Sequence, residues 1–193
     1  LLGAHFDTRP AADRDPTPYH RAKWIAGAND GASGVAVLLE LARVLNPNYL
    51  PYNVQLAFFD AEDRGQLAGW PFSVGARYAA RRLTVPPAAV VIVDMVGDAN
   101  QTLYLERTST PALAAEIWAV ANSLGYRAHF IPQPKYAIID DHLPFAERGL
   151  PAANLIDFDY PAWHTTADTV DKVSAASLER VGRTLEAWLQ QPN

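Results

Sequence analysis

Short apolar segments that end on acids or histidine constrain this chain most. "LLGAHFD" closes on His5 and Asp7, "NVQLAFFDAED" on Asp60, Glu62 and Asp63, and "AAVVIVDMVG" on Asp94. Each apolar stretch has strand length, so each predicts a buried strand whose last residues reach the surface. Helical patterns alternate with them. "GASGVAVLLELARVL" sets Val35, Leu38, Leu39, Ala42 and Leu45 at helical spacing and stops at Asn46 and Pro47. "PFSVGARYAARR" predicts a second helix. "PALAAEIWAVANSLG" predicts a third, with Pro111 suited to its first turn and Gly125 to its C-cap. Ser174 to Gln190 carries Leu178, Val181, Leu185 and Leu189 on one face. "QTLYLE" is a weaker strand and "AANLIDF" a further one. Strands alternating with helices predict an α/β fold, a mostly parallel central sheet flanked by helices. With no internal repeat or composition break, residues 1–193 read as a single domain.

Composition removes several classes of function. The formal net charge is -5 and no basic cluster is present, which argues against a nucleic-acid partner. The apolar runs are too short to span a membrane. Cysteine is absent, so disulfides and thiolate metal sites are excluded, and any metal must be held by His, Asp or Glu. Thr8 to Ala28 lacks periodicity and is rich in Pro, Asp and Arg, a long loop of the kind that is usually functional or disordered.

In open α/β sheets, sites form beyond the carboxyl ends of the strands. Loops there can bring His5, Asp60, Glu62, Asp63 and Asp94 together with Asp30 of "AGANDGASG" and His164 of "YPAWHTTAD". Each residue alone has a plainer reading: Asp30 as a helix cap, Asp60 or Asp63 in a solvated turn, His5 as a hydrogen-bonded core residue. Together they would repel one another and suffer desolvation, and a bound divalent cation removes both problems. Zinc suits these nitrogen and carboxylate donors. A catalytic zinc keeps one position open and needs a nearby carboxylate that moves protons, a division that Asp63 and Glu62 fit. His20 and His129, in unpatterned polar contexts, read as surface residues.

The series "AHFDTRP", "GANDGASGVAVLLELA", "FFDAED", "VDMVG", "DDHLPF" and "WHTTAD" resembles the zinc aminopeptidase and glutaminyl cyclase superfamily, in the family's order and over almost the whole chain. The resemblance implies the family's mixed, mostly parallel sheet between helices, here without its first strands and helix. It implies Asp30, Asp63 and His164 as zinc ligands and Glu62 as general base and acid. His5 and Asp94 match the ligands of a second zinc in the aminopeptidases.

Three features resemble the cyclase branch. Asp140 of "DDHLPF" matches a catalytic aspartate, Trp163 before His164 matches a pocket wall, and Trp70 stands near the position of a loop tryptophan. Packing residues and a helix cap at Asp140 or Asp141 are the plainer readings of these positions. Asn154 departs from the family, standing where animal cyclases carry His. The branch implies one zinc, peptide or small-protein N-termini as substrates, with Asp94 supporting Asp140, and a secreted or periplasmic setting. The first alternative is a two-zinc aminopeptidase, and the second is a non-catalytic binding domain on the same scaffold.

Overall fold

Val90–Asp94 is buried along its whole length, because it lies inside the sheet and is covered on both faces. The computed structural model describes residues 1–191. The last two residues of the single domain expected over 1–193 lie outside them. Among the described residues there are six strands: β1 (Leu2–His5), β2 (Leu56–Phe59), β3 (Val90–Asp94), β4 (Leu103–Leu105), β5 (Phe130–Pro134) and β6 (Ala152–Ile156). Helices α1 (Ala32–Val44), α2 (Val74–Arg82), α3 (Pro111–Ser123), α4 (Leu143–Ala146) and α5 (Ala175–Leu189) alternate with them.

The main sheet has the order β2-β1-β3-β6 and every pairing in it is parallel. Alternation along β3 divides the core. Val91 and Val93 join a cluster with Val37, Leu38 and Leu41 of α1, Ile117 and Trp118 of α3, and Val181 and Leu185 of α5. Val90 and Ile92 point the other way, onto Ala76 and Ala80 of α2 and Phe145 of α4. The result is a sheet between two helical layers. At roughly 1.5–3 kcal/mol for each fully buried Val, Leu, Ile or Phe, these two interfaces supply most of the drive to fold.

The parallel register aligns the strand ends. Gly3 pairs with Ile92, and two residues further along each strand stand His5 and Asp94. His5 pairs with Phe59, the residue before Asp60. No helix among the described residues is long and apolar enough to cross a membrane.

Several local expectations are revised. The second helix begins at Val74, because Ser73 adopts a left-handed conformation with φ of 60°. Carbonyls of Glu62, Ala61 and Asp60 accept from the backbone N–H groups of Ser73, Val74 and Gly75, replacing a side-chain cap. Strand β5, "FIPQP", is not legible in the sequence because its prolines suppress a strand reading. It pairs with β4 in a separate two-stranded sheet, with a register shift between Tyr104 and Leu105. Gly125 lies just past α3 with φ of 85°, a conformation glycine adopts readily.

Candidate metal centre

Helix α1 starts beside the carboxyl ends of β1 and β3, so Asp30 just ahead of it faces both strands. Gly31 occupies the N-cap position and no side chain caps the helix. The Asp30 carboxylate is turned inward instead: Oδ1 lies 3.2 Å from His5 Nε2 and Oδ2 lies 3.5 Å from His164 Nε2. Gly31 allows this approach, since a Cβ there would sit 2.4 Å from His5 Nε2.

Two donor sets share Asp30. One comprises Asp30, Asp63 and His164, the other His5, Asp30 and Asp94, and within each set the potential ligand atoms lie within 4.8 Å of one another. His164 Nε2 is 2.9 Å from Asp63 Oδ1, and His5 Nε2 is 3.0 Å from Asp94 Oδ1. All five side chains are buried. Burial, reinforced by Asp30, pushes Asp63 up to about 6. Burial pushes Asp94 up to about 7, although the His5 ring opposes the shift. For His5, burial favours the neutral ring, but Asp94, Asp30 and Asp7 outweigh it and raise its pKa well above the ordinary value. A divalent cation would relieve this carboxylate repulsion. Asp30 Oδ2 and Asp63 Oδ2 are buried without a hydrogen-bond partner, as metal-facing atoms are. The nitrogen and oxygen donors fit zinc.

A third cluster adjoins these. Carboxylate atoms of Glu62, Asp140 and Asp141 also lie within 4.8 Å of one another. Burial, with Asp140 next in effect, raises the Glu62 carboxyl well above its ordinary range, and the same causes act on Asp141. Ser73 Oγ donates to Glu62 Oε1 at 3.3 Å. Asp140 does not cap α4 through its side chain: Oδ1 accepts from the Asp141 backbone N–H and Oδ2 from Asn154 Nδ2, each at 2.5 Å. The asparagine therefore keeps a hydrogen bond at the position where it departs from the animal cyclases. Both Asp141 carboxylate oxygens are buried and unpartnered.

The supporting residues come largely from segments without a readable pattern. Asp7 accepts from the backbone N–H groups of Glu62 and Asp63. Asp168 accepts from those of Asn29 and Asp30 and from Tyr160 Oη. Arg9 reaches from the long loop to the carbonyls of Asp63 and Gly65 while gripping Asp13 with two nitrogens. Of these, the sequence signalled only Asp7, as a strand-end acid. Glu106 was also missed. It accepts from the backbone N–H groups of Thr108, Ser109 and Ile138, and its Oε2 lies 3.2 Å from His142 Nε2. It thereby ties down the segment carrying Asp140 and Asp141.

Trp163 is half-buried, with its ring centroid 4.1 Å from that of His164 and 4.8 Å from that of Phe158. Trp70 stands on the loop leaving Asp63, 45% exposed, with the Arg64 guanidinium over its ring. Asp60 is exposed and joins neither donor set. His20 is partly exposed beside Asp15, and His129 Nδ1 donates to the Gln101 carbonyl.

The sequence model of peptidase family M28 matches residues 1–189. The chain belongs to peptidase family M28. The M28 chain is 26% identical to a glutaminyl-peptide cyclotransferase of the snake Boiga irregularis, over 98% of its own length and 60% of that protein. It thus spans less than two thirds of this relative. Among solved structures it is similar to glutaminyl cyclase of Porphyromonas gingivalis, with 33% identity and a TM-score of 0.87 over 98% of this chain and 71% of that one. It is also similar to a Zn-dependent exopeptidase of Parabacteroides distasonis, with 30% identity and a TM-score of 0.93 over 100% of this chain and 73% of that one.

Proposed function

We propose that this M28 chain cyclises N-terminal glutaminyl residues of peptides to pyroglutamyl residues, with release of ammonia. The observation that carries the reading is the Glu62–Asp140–Asp141 cluster beside the Asp30–Asp63–His164 donor set. A proton-moving carboxyl and a hydrogen-bonded aspartate stand next to a metal position. The names of the snake and Porphyromonas relatives support the same choice.

In this reading Asp30, Asp63 and His164 hold one zinc ion. Bound there, zinc would supply Lewis acidity toward the substrate's amide carbonyl. Burial, with Asp140 next in effect, raises the Glu62 carboxyl above its ordinary range, which makes its carboxylate a stronger base than a solvated one. It takes a proton from the substrate's α-amine as the nitrogen attacks the γ-carbonyl carbon. The new C–N bond closes the five-membered ring, the bond to the amide nitrogen breaks, and Glu62 returns the proton to the departing ammonia. Asp140, fixed by Asn154, orients the leaving nitrogen, and Asp94 supports that network. Trp163 screens the site from water, which would otherwise hydrolyse the amide. Trp70 is assigned to the outer part of the pocket. Nucleophile and carbonyl belong to one molecule, so holding a single conformer already lowers the barrier substantially.

A two-zinc aminopeptidase is the second reading. It is favoured by the division of the Asp30 carboxylate between His5 and His164, which offers two metal positions sharing one ligand. One experiment separates the two readings. The zinc-loaded protein is incubated with a glutaminyl peptide and with leucine anilide, and its metal is counted. Ammonia from the first substrate with one tightly held zinc supports cyclisation. Amine from the second with two zincs establishes hydrolysis instead.

A further inference from the structure

Arg14 stands in the acidic triplet "DRD", where its neighbours would be expected to neutralise it. Both turn away. Asp13 receives Arg9 Nε at 3.1 Å and Nη2 at 2.7 Å. Asp15 receives the Thr17 and Thr166 backbone N–H groups and the Thr166 hydroxyl. Arg14 itself is exposed and makes no carboxylate ion pair among the described residues. Its position is nonetheless fixed. The Arg14 backbone N–H donates to the His164 carbonyl at 3.2 Å, and the guanidinium carbon lies 5.0 Å from the Trp163 ring centroid. Trp163 in turn lies against the His164 ring of the metal centre. A cation without a carboxylate ion pair among the described residues therefore sits on the rim of a strongly acidic site, over an indole ring.

We infer that Arg14 forms a subsite for a carboxylate of the bound peptide, two or three residues from the peptide's N-terminus. The inference rests on the reading of the substrate as a peptide N-terminus. In this reading the first residue sits at the metal centre and the following residues leave past Trp163, whose ring lies against His164. An extended chain advances about 3.3–3.6 Å per residue, so the second or third residue reaches a guanidinium placed one ring beyond His164. The planar fork of Arg suits a carboxylate, and Arg14 is exposed with no carboxylate ion pair among the described residues to occupy it. Arg14 also offsets the repulsion that an acidic peptide meets when it approaches the carboxylates of the centre. The carboxylate can belong to an Asp or Glu side chain or to the C-terminus of a short peptide.

The test uses the zinc-loaded protein with Gln-Glu-Ala-amide, Gln-Ala-Glu-amide and Gln-Lys-Ala-amide, and with Gln-Ala-Ala in free and amidated forms. Ammonia release gives kcat/KM, and calorimetry gives Kd for the same peptides. The acid-bearing peptides should exceed the lysine peptide by about 3–10-fold in low salt, and raising the salt to about 0.5 M should shrink that ratio. Arg14→Gln should bring the ratio close to one, and Arg14→Glu should invert it. Arg183→Gln, the same charge change on exposed α5, should leave it in place. The free and amidated forms of Gln-Ala-Ala tell a terminal carboxylate from a side-chain one. A wild-type preference that is absent, or that survives Arg14→Gln, overturns the subsite. If no glutaminyl peptide releases ammonia, the cyclisation reading fails by itself, and the Kd ratios decide the role of Arg14.

Discussion

Asp7 holds the acid pair through its backbone: Oδ1 accepts from the Glu62 N–H at 3.0 Å and Oδ2 from the Asp63 N–H at 3.1 Å. One side chain at the end of β1 thus fixes the direction of two neighbouring carboxylates after β2. It sends Asp63 to His164 and Glu62 to Asp140 and Asp141. Asp7→Asn keeps the shape but replaces one acceptor oxygen with a donor that faces an N–H. Zinc affinity should fall by about 10–100-fold, in line with the loss of other outer partners of metal ligands. Competition with a chromogenic chelator measures it, and an unchanged affinity would show that the acid pair is positioned without Asp7.

Glu62→Gln should retain zinc and lose turnover by about 10²–10⁴-fold, the usual weight of a general acid–base group. Asp63→Ala and His164→Ala should instead lower the metal content itself. Metal analysis alongside single-turnover kinetics separates the two classes. A Glu62→Gln protein with near-normal turnover would remove that residue from the chemistry.

Glu106 provides a pH signature from a residue outside both donor sets. Burial works to raise its carboxyl, but His142 and the N–H groups of Ile138 and Thr108 overcome this and lower it to about 2. A carboxyl depressed on folding stabilises the protein above its unfolded pKa, and that contribution fades as pH falls toward the folded value. Glu106→Gln should therefore lower Tm by roughly 5 °C near neutrality, as expected for losing hydrogen bonds to a buried charge. The gap between variant and wild type should close between about pH 4.5 and pH 2. Thermal melts across that range test it, and a gap independent of pH would mean that packing, not charge, is what the residue contributes.

Gly34 lies where α1 meets β3, and a Cβ there would sit 2.0 Å from the Val93 carbonyl oxygen. Backbone cannot yield as a flexible side chain can, so Gly34→Ala must push the start of α1 off the sheet. A cost of about 1–3 kcal/mol is expected from such overpacking. Because Asp30 enters the centre just before this helix, zinc affinity should fall with Tm. Normal zinc affinity in a protein of lowered Tm would show that Asp30 is held independently of α1.

The sequence by itself determined the alternation of strands and helices, the parallel sheet and the acids at strand ends. These follow from local periodicity and from where apolar runs stop, which neighbouring residues encode. It also marked Asp30, Asp63 and His164 through short motifs whose residue types suit a metal. It could not reveal β5, whose prolines mask it, or the work of Arg9, Asp168 and Glu106, whose surroundings carry no periodic signal. Tertiary structure alone decided that Asp30 faces two histidines, that Glu106 binds the Asp140 segment, and that Arg14 is free of its flanking acids. Those outcomes depend on partners as far as 151 residues away, as Thr166 is from Asp15. A buried carboxylate turns toward whichever donors the fold delivers, and sequence neighbours do not name them.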